Sequence, residues 1–292
     1  MKYFGLFLSF FVACAAMAKS PSEIIAHAKA NEWRTVDINN TLYLQLDTGL
    51  VVVELAPRFA PKHVQNTKAL VKEGVFDNSN FYRVIDGFVA QGGPLEKDDK
   101  KIKTPKIGQL TIAAEFTLKT PTPLAITTIN QVDGYAAQTG FIDGFAIGRS
   151  HDKQENWLLH CYGAFAMGRA NDPNTGGTEL YIVIGNAQRY LDRNTTVFGR
   201  VLLGMEHIQA LKRSQNIQGT VDLTGKNKII SIKLGSEVSK DVFIPLEALK
   251  TDSQSFKALI ESRKNRRNKW FVYQHNYIDA CSVPLPVRIK KH

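Results

Sequence analysis

Beyond its first eighteen residues this 292-residue chain has no apolar run long enough to span a bilayer, no internal repeat and no low-complexity tract. Those absences set aside a helical membrane protein and a solenoid. Cysteine is scarce, at three residues, and only Cys161 and Cys281 lie beyond residue 18. His151, His160 and Cys161 share one segment, but no two of them stand at a paired metal-ligand spacing. The turn Asp172-Pro173-Asn174-Thr175-Gly176 lacks the twelve-residue pattern and bidentate glutamate of a calcium loop. Neither a nucleophile elbow nor a phosphate-cradling glycine loop occurs. The sequence therefore implies no metal and no cofactor.

What is there is ordinary globular material, 43% hydrophobic and 22% charged, enough for one large domain with additions. Residues 1–18 read as a secretory signal: Lys2 gives the positive end, residues 4–13 the apolar stretch, and Ala16-Met17-Ala18 the small-residue cleavage site. Cleavage after Ala18 would remove Cys14 and deliver a periplasmic or secreted protein. In such an oxidising compartment Cys161 and Cys281 form either one disulfide or two separate buried thiols.

Ser20-Pro21-Ser22-Glu23 has the form of a capping box, so the spacing predicts a short helix there. Residues 41–46 and 50–55 read as a hairpin about Asp47-Thr48-Gly49, and a helix runs from Ala60-Pro61 to about residue 73. Further strands are expected near 81–91, 110–116, 163–168, 179–185, 196–203 and 228–234, with a short helix over 205–211. Many short strands with two interspersed helices predict a mainly β chain, a closed antiparallel barrel capped at its ends. The expected divisions are an N-terminal helical segment at 19–39, the barrel over 40–239 with a turn-rich, aromatic insertion at about 94–162, and a basic extension over 240–292. The insertion either borders the functional site or decorates the periphery.

The extension holds eleven Lys and Arg against five Asp and Glu. Asp252 or Ser253 would cap a helix whose apolar face carries Phe256, Leu259, Ile260 and Trp270, ringed by Arg263, Lys264, Arg266, Arg267 and Lys269. One reading is weak contact with an anionic surface; the other is a solvated face packed on the barrel. Secretion argues against nucleic acid as a partner.

The chemistry lies in Phe81-Tyr82-Arg83-Val84-Ile85-Asp86-Gly87-Phe88-Val89-Ala90-Gln91-Gly92-Gly93, which alternates like two strands about Asp86-Gly87 yet plants a cation among apolar neighbours. A planar, always charged guanidinium beside the Gln91 amide over an apolar floor suits a polypeptide carbonyl or amide nitrogen.

This run resembles the signature of cyclophilin-type peptidyl-prolyl isomerases around their catalytic arginine. Gly163-Ala164-Phe165-Ala166-Met167-Gly168-Arg169, with Gly177-Thr178-Glu179-Leu180-Tyr181-Ile182 after it, is similar to the family's far groove wall. Tyr190-Leu191-Asp192, leading to Val197-Phe198-Gly199-Arg200-Val201, resembles the segment completing its proline pocket. The likeness covers roughly residues 40–236, interrupted by the insertion. It implies an eight-stranded barrel with two capping helices, a groove on the outer wall, and isomerisation of X-Pro bonds in proline-containing polypeptides without a cofactor. It makes Arg83 the catalytic arginine and Gln91 the glutamine that places it, with Phe88 the pocket floor and Leu191 its aliphatic wall. Val89 stands where methionine is common, Tyr181 for phenylalanine, Glu179 for glutamine, Tyr190 for tryptophan and Thr195 for histidine. Arg169 replaces an asparagine whose backbone binds substrate. The charges Arg169 and Glu179 would either pair with each other or select charged substrates. The alternative is a non-catalytic proline-peptide chaperone, or an assembly protein using insertion and extension.

Overall fold

The hairpin about Asp47-Thr48 explains both halves of the architecture, because both of its faces carry buried apolar side chains. Strands β1 (Thr41–Leu46) and β2 (Gly49–Leu55) pair antiparallel, with Leu46 opposite Gly49 and Thr41 opposite Glu54. Leu42, Leu44, Leu46, Val51, Val53 and Leu55 point into one core, while Tyr43 and Val52 enter another. The period-2 geometry of a strand requires this division. The structure, a computed structural model, describes residues 19–94, 104–214, 227–266 and 270–290. Residues 1–18, expected from the sequence to be a secretory signal, and Arg267 and Lys269 lie outside the described residues.

Six more strands complete the first core: β3 (Ser79–Val84), β4 (Val89–Gly93), β5 (Ala164–Met167), β6 (Leu180–Val183), β7 (Thr196–Leu203) and β8 (Lys228–Leu234). They close an eight-stranded antiparallel barrel in the order β5-β6-β4-β3-β8-β1-β2-β7, with β7 returning to β5. Phe81, Phe165 and Phe198 fill it together with aliphatic side chains, so it is a packed core and any polypeptide must bind outside. Two helices add to the same cluster. Helix α2 (Pro61–Lys72) brings Val64, Leu70 and Val71, and α3 (Met205–Gln209) brings Ile208. Ala60 cannot cap α2, since it has no side-chain acceptor. Glu115 does so from a distance, accepting from Lys62 N at 3.0 Å and His63 N at 2.8 Å. The expected strand at 110–116 is accordingly a single bridge, Ile112 to Gly176, with the following residues spent on that cap.

The insertion is a five-stranded antiparallel sheet in the order Leu118–Lys119, Glu155–Leu158, Phe145–Arg149, Gln138–Ile142, Thr127–Ile129. Its central hairpin turns on Asp143 (φ 52°) and Gly144 (φ 86°), the doubly left-handed turn that suits twisted strands. One face lays Ile142, Phe145, Ile147 and Leu158 on the barrel's outward Val89, Tyr181, Val183 and Ala164. The other face meets helix α4 (Gln254–Lys264) through Phe141 and Trp157. The insertion is thus the middle layer of the molecule.

The two terminal segments join in one sheet. Trp33–Thr35 pairs with Leu246–Leu249, which pairs with Val287–Ile289, and this sheet covers the outer face of β1 and β2. Tyr43 Oη donates to Ile244 O and accepts from Ile244 N, both at 3.1 Å. The extension is therefore part sheet and part helix. Helix α1 (Pro21–Ala26) carries the expected Ser20–Glu23 capping box and sets Ile24 against α4's layer. Trp270 corrects the sequence reading: α4 stops at Lys264, and the indole is 80% exposed, while Phe256, Leu259 and Ile260 form the buried face. Cys161 and Cys281 form a disulfide that ties the end of the insertion to the extension. Closing a loop of 120 residues corresponds to about 5 kcal/mol in the chain-entropy account.

Candidate active site

Strand register brings the groove together. Arg83 lies opposite Gln91, Gln91 opposite Tyr181, and Tyr181 opposite Ala166, so one row crosses four strands on the outer face. Their neighbours Val84, Ala90, Ile182 and Phe165 point into the barrel. Arg83 Nη1 donates to Gln91 Oε1 at 3.2 Å, and Gln91 Nε2 donates to Tyr82 Oη at 3.1 Å. The amide is held at both ends, and so aims the guanidinium. Arg83 Cζ stands 5.6 Å from the centre of the Phe88 ring, and among the described residues no carboxylate pairs with it. This half-exposed cation keeps donors for a ligand.

Phe88 stacks on Tyr190, with ring centres 6.5 Å apart and planes 13° apart; Tyr190 is exposed and Phe88 half-buried. Leu191 is half-buried in the short turn Arg189–Leu191 beside them. Val89 is buried beneath, packed with insertion residues, so the insertion supports the pocket from below. Gly168 leaves the groove floor bare: a methyl group there would stand 3.1 Å from Gln91 Nε2 and 3.0 Å from Glu179 Cβ.

Arg169 and Glu179 do not pair, which corrects one sequence reading. Arg169 Nε donates to Asn194 O at 2.8 Å, and its Nη1 donates to Ala170 O and Asn171 O at 2.7 and 3.0 Å. Its guanidinium braces the loop over Phe116. Glu179 is left with a buried Oε2 that has no hydrogen-bond partner among the described residues, and burial pushes its carboxyl up to about 7.

Tyr181 and Thr195 meet through their hydroxyls at 2.5 Å, and both lie 2.9 Å from His160 Nε2. His160 is fully buried, and its Nδ1 and backbone N stand 2.9 and 3.0 Å from Asp192 Oδ1. Burial pushes the Tyr181 phenol up. Sequence reasoning missed His160 and Tyr82. In the sequence His160 suggests only a metal ligand, and no group of three metal-ligating side chains occurs among the described residues.

Comparison with known proteins gives the family. Residues 41–234 match the model of the cyclophilin type peptidyl-prolyl cis-trans isomerase family. The chain belongs to that family. Among curated cyclophilins it is 28% identical over 189 residues to a probable peptidyl-prolyl cis-trans isomerase of Brucella suis, covering 62% of this chain and 76% of that one. It is 29% identical over 163 residues to a peptidyl-prolyl cis-trans isomerase of Schizosaccharomyces pombe, covering 56% and 78%. The crystal structure of a cyclophilin from Hirschia baltica matches with a TM-score of 0.68 and 27% identity, over 94% of this chain and 99% of that one. That likeness extends beyond the family segment into the additions. This cyclophilin carries a hydroxyl pair, Tyr181 and Thr195, and a Glu179 Oε2 without a hydrogen-bond partner among the described residues. No helix among its described residues is long and apolar enough to cross a membrane.

Proposed function

We propose that this cyclophilin isomerises X-Pro bonds of exported polypeptides by stabilising the twisted amide with Arg83. The observation that carries the reading is the guanidinium itself: unpaired by any carboxylate among the described residues, aimed by Gln91 at 3.2 Å and seated over Phe88. A prolyl amide resists rotation because its C–N bond has partial double-bond character, with a barrier of about 18–20 kcal/mol. Rotation destroys that resonance and leaves the nitrogen a lone pair. A donor that meets this lone pair binds the twisted state better than either planar isomer, which is what accelerates a step. No bond to the protein is made. Phe88, Tyr190 and Leu191 receive the apolar ring, while Gln91 and the bare Gly168 edge leave room for the extended backbone. Lowering the barrier by about 7 kcal/mol gives roughly a hundred-thousand-fold acceleration.

The exported setting is supported by the Cys161–Cys281 disulfide, a bond that persists in oxidising compartments. The substrates are proline-containing chains; no cofactor enters the mechanism. Isomerisation of a proline tetrapeptide, measured for the wild type and Arg83→Ala with circular dichroism of both, tests the reading. Activity that collapses in a folded Arg83→Ala is expected. A folded variant that retains full activity would overturn it.

A further inference from the structure

The groove floor is held by a buried polar chain that begins outside the barrel. Asp133, in the insertion, receives Arg189 Nη1 at 2.8 Å and Nη2 at 3.0 Å. Arg189 Nε donates to Asp192 Oδ2 at 2.6 Å, and the other oxygen of Asp192 takes His160. His160 Nε2 then faces the hydroxyls of Tyr181 and Thr195. Asp133, Arg189, Asp192 and His160 are each no more than 6% exposed in their side chains. A chain this dry is ordered because each group leans on the next.

Counting donors gives the direction. A carboxylate only accepts, so His160 Nδ1 carries its hydrogen toward Asp192, and in the neutral ring Nε2 is left as an acceptor. One lone pair serves one hydroxyl. The second hydroxyl must donate to its neighbour's oxygen, so both hydrogens are spent inside the triangle. What half-buried Thr195 then offers is an acceptor, and the Tyr181 ring is fixed as part of the pocket floor.

We propose that His160 is a positioning residue of this enzyme, locking Tyr181 and Thr195 so that the proline pocket keeps one shape set by the insertion and the extension. The proposal rests on the isomerase reading of the groove. The extension reaches the same point: Asp279 Oδ2 lies 3.9 Å from Arg189, its Oδ1 accepts from Cys281 N at 2.7 Å, and Cys281 is bonded to Cys161, next to His160. The disulfide therefore holds the segment that carries the imidazole.

Two substitutions separate its ends. His160→Asn keeps a group near Nδ1 for Asp192 but stops short of the hydroxyls, whereas His160→Gln reaches the place of Nε2. In the full-length oxidised protein, the asparagine variant is expected to lower kcat/KM about tenfold and the glutamine variant less than about threefold, since a slightly misplaced pocket is costly. In a Tyr181→Phe/Thr195→Ala background, His160→Asn should leave kcat/KM unchanged while still lowering the thermal midpoint. An equal loss in both backgrounds would show a purely structural histidine and overturn the proposal. Should wild-type turnover be absent, the same cycle read as the Kd of a proline peptide tests the positioning separately from the chemistry. Should the variants not fold, wild type labelled with ¹⁵N-histidine replaces them. The His160 Nε2 resonance is expected to move on saturation with the proline peptide, and a resonance that stays fixed would overturn the idea.

Discussion

Glu179→Gln should make the protein more stable at pH 8 and leave it nearly unchanged at pH 4. Glu179 stands beside Gly168 with Oε2 cut off from water and without a hydrogen-bond partner among the described residues, and burial lifts its carboxyl from the ordinary 4.5 to about 7. Below pH 4.5 the group is protonated both folded and unfolded, so it adds no pH dependence. Between pH 4.5 and 7 the unfolded chain releases the proton and the folded chain keeps it, so stability falls as pH rises. Above pH 7 both states are ionised and the loss levels off. A rise from 4.5 to about 7 corresponds to about 3 kcal/mol, an upper figure because the side chain keeps some contact with water. Glutamine fills the same volume without a charge. The assay is denaturant unfolding of both proteins at intervals from pH 4 to pH 8, read as the difference between them, so that every other titrating group cancels. A difference that stays flat, or one that favours the wild type at high pH, would mean the carboxylate has a partner and refute the reasoning.

Three further outcomes follow from the packing. Cys281→Ser should lower stability by about 2–5 kcal/mol, and reductant should weaken the wild type alike while sparing the Cys161→Ser/Cys281→Ser protein; denaturant midpoints decide it. Phe256→Ala, at a fully buried ring set edge-on to Phe141 at 5.0 Å, should cost about 3–5 kcal/mol by the same measurement. Glu115→Ala should cost about 1–2 kcal/mol at pH 7 by uncapping α2. Burial alone would raise the Glu115 carboxyl, but the bonds from His63 and from the Lys62 and His63 amides hold it below its ordinary 4.5, so its contribution is present above that pH and fades as the pH falls further. An uncapping cost that stays the same in acid would contradict this account.

The barrel was legible because its strands announce themselves locally: Leu42, Leu44 and Leu46 alternate, and Asp86-Gly87 marks a turn whatever surrounds it. Arg83 and Gln91 could be placed on one face by the same period. The sheet of the insertion was not legible, because its strands are buried on both sides and lose the alternation; Phe145–Arg149 is buried at every position. Helical spacing continues past Lys264 in the sequence and so puts Trp270 on the apolar face, whereas the chain leaves the helix at Asn265. His160 was unreadable as part of the groove, since its partners Tyr181, Asp192 and Thr195 lie 21 to 35 residues away and no local pattern joins them. Of the two readings of the charges Arg169 and Glu179, pairing or selection of charged substrates, the first fails because carbonyl oxygens nearer to hand take the guanidinium.

The pairing of Trp33–Thr35 with Leu246–Leu249 sets an order on how this molecule is made. A ribosome delivers residue 33 more than two hundred residues before residue 249. Throughout that interval the first strand of the outer sheet has amides and carbonyls waiting, and the β1–β2 hairpin shows Tyr43 and Val52 to solvent. Contacts so distant along the chain form slowly and leave apolar surface open to strangers meanwhile. An isomerase built this way is itself a late folder, and the strand Leu246–Leu249 is the one that lets Trp33–Thr35 settle.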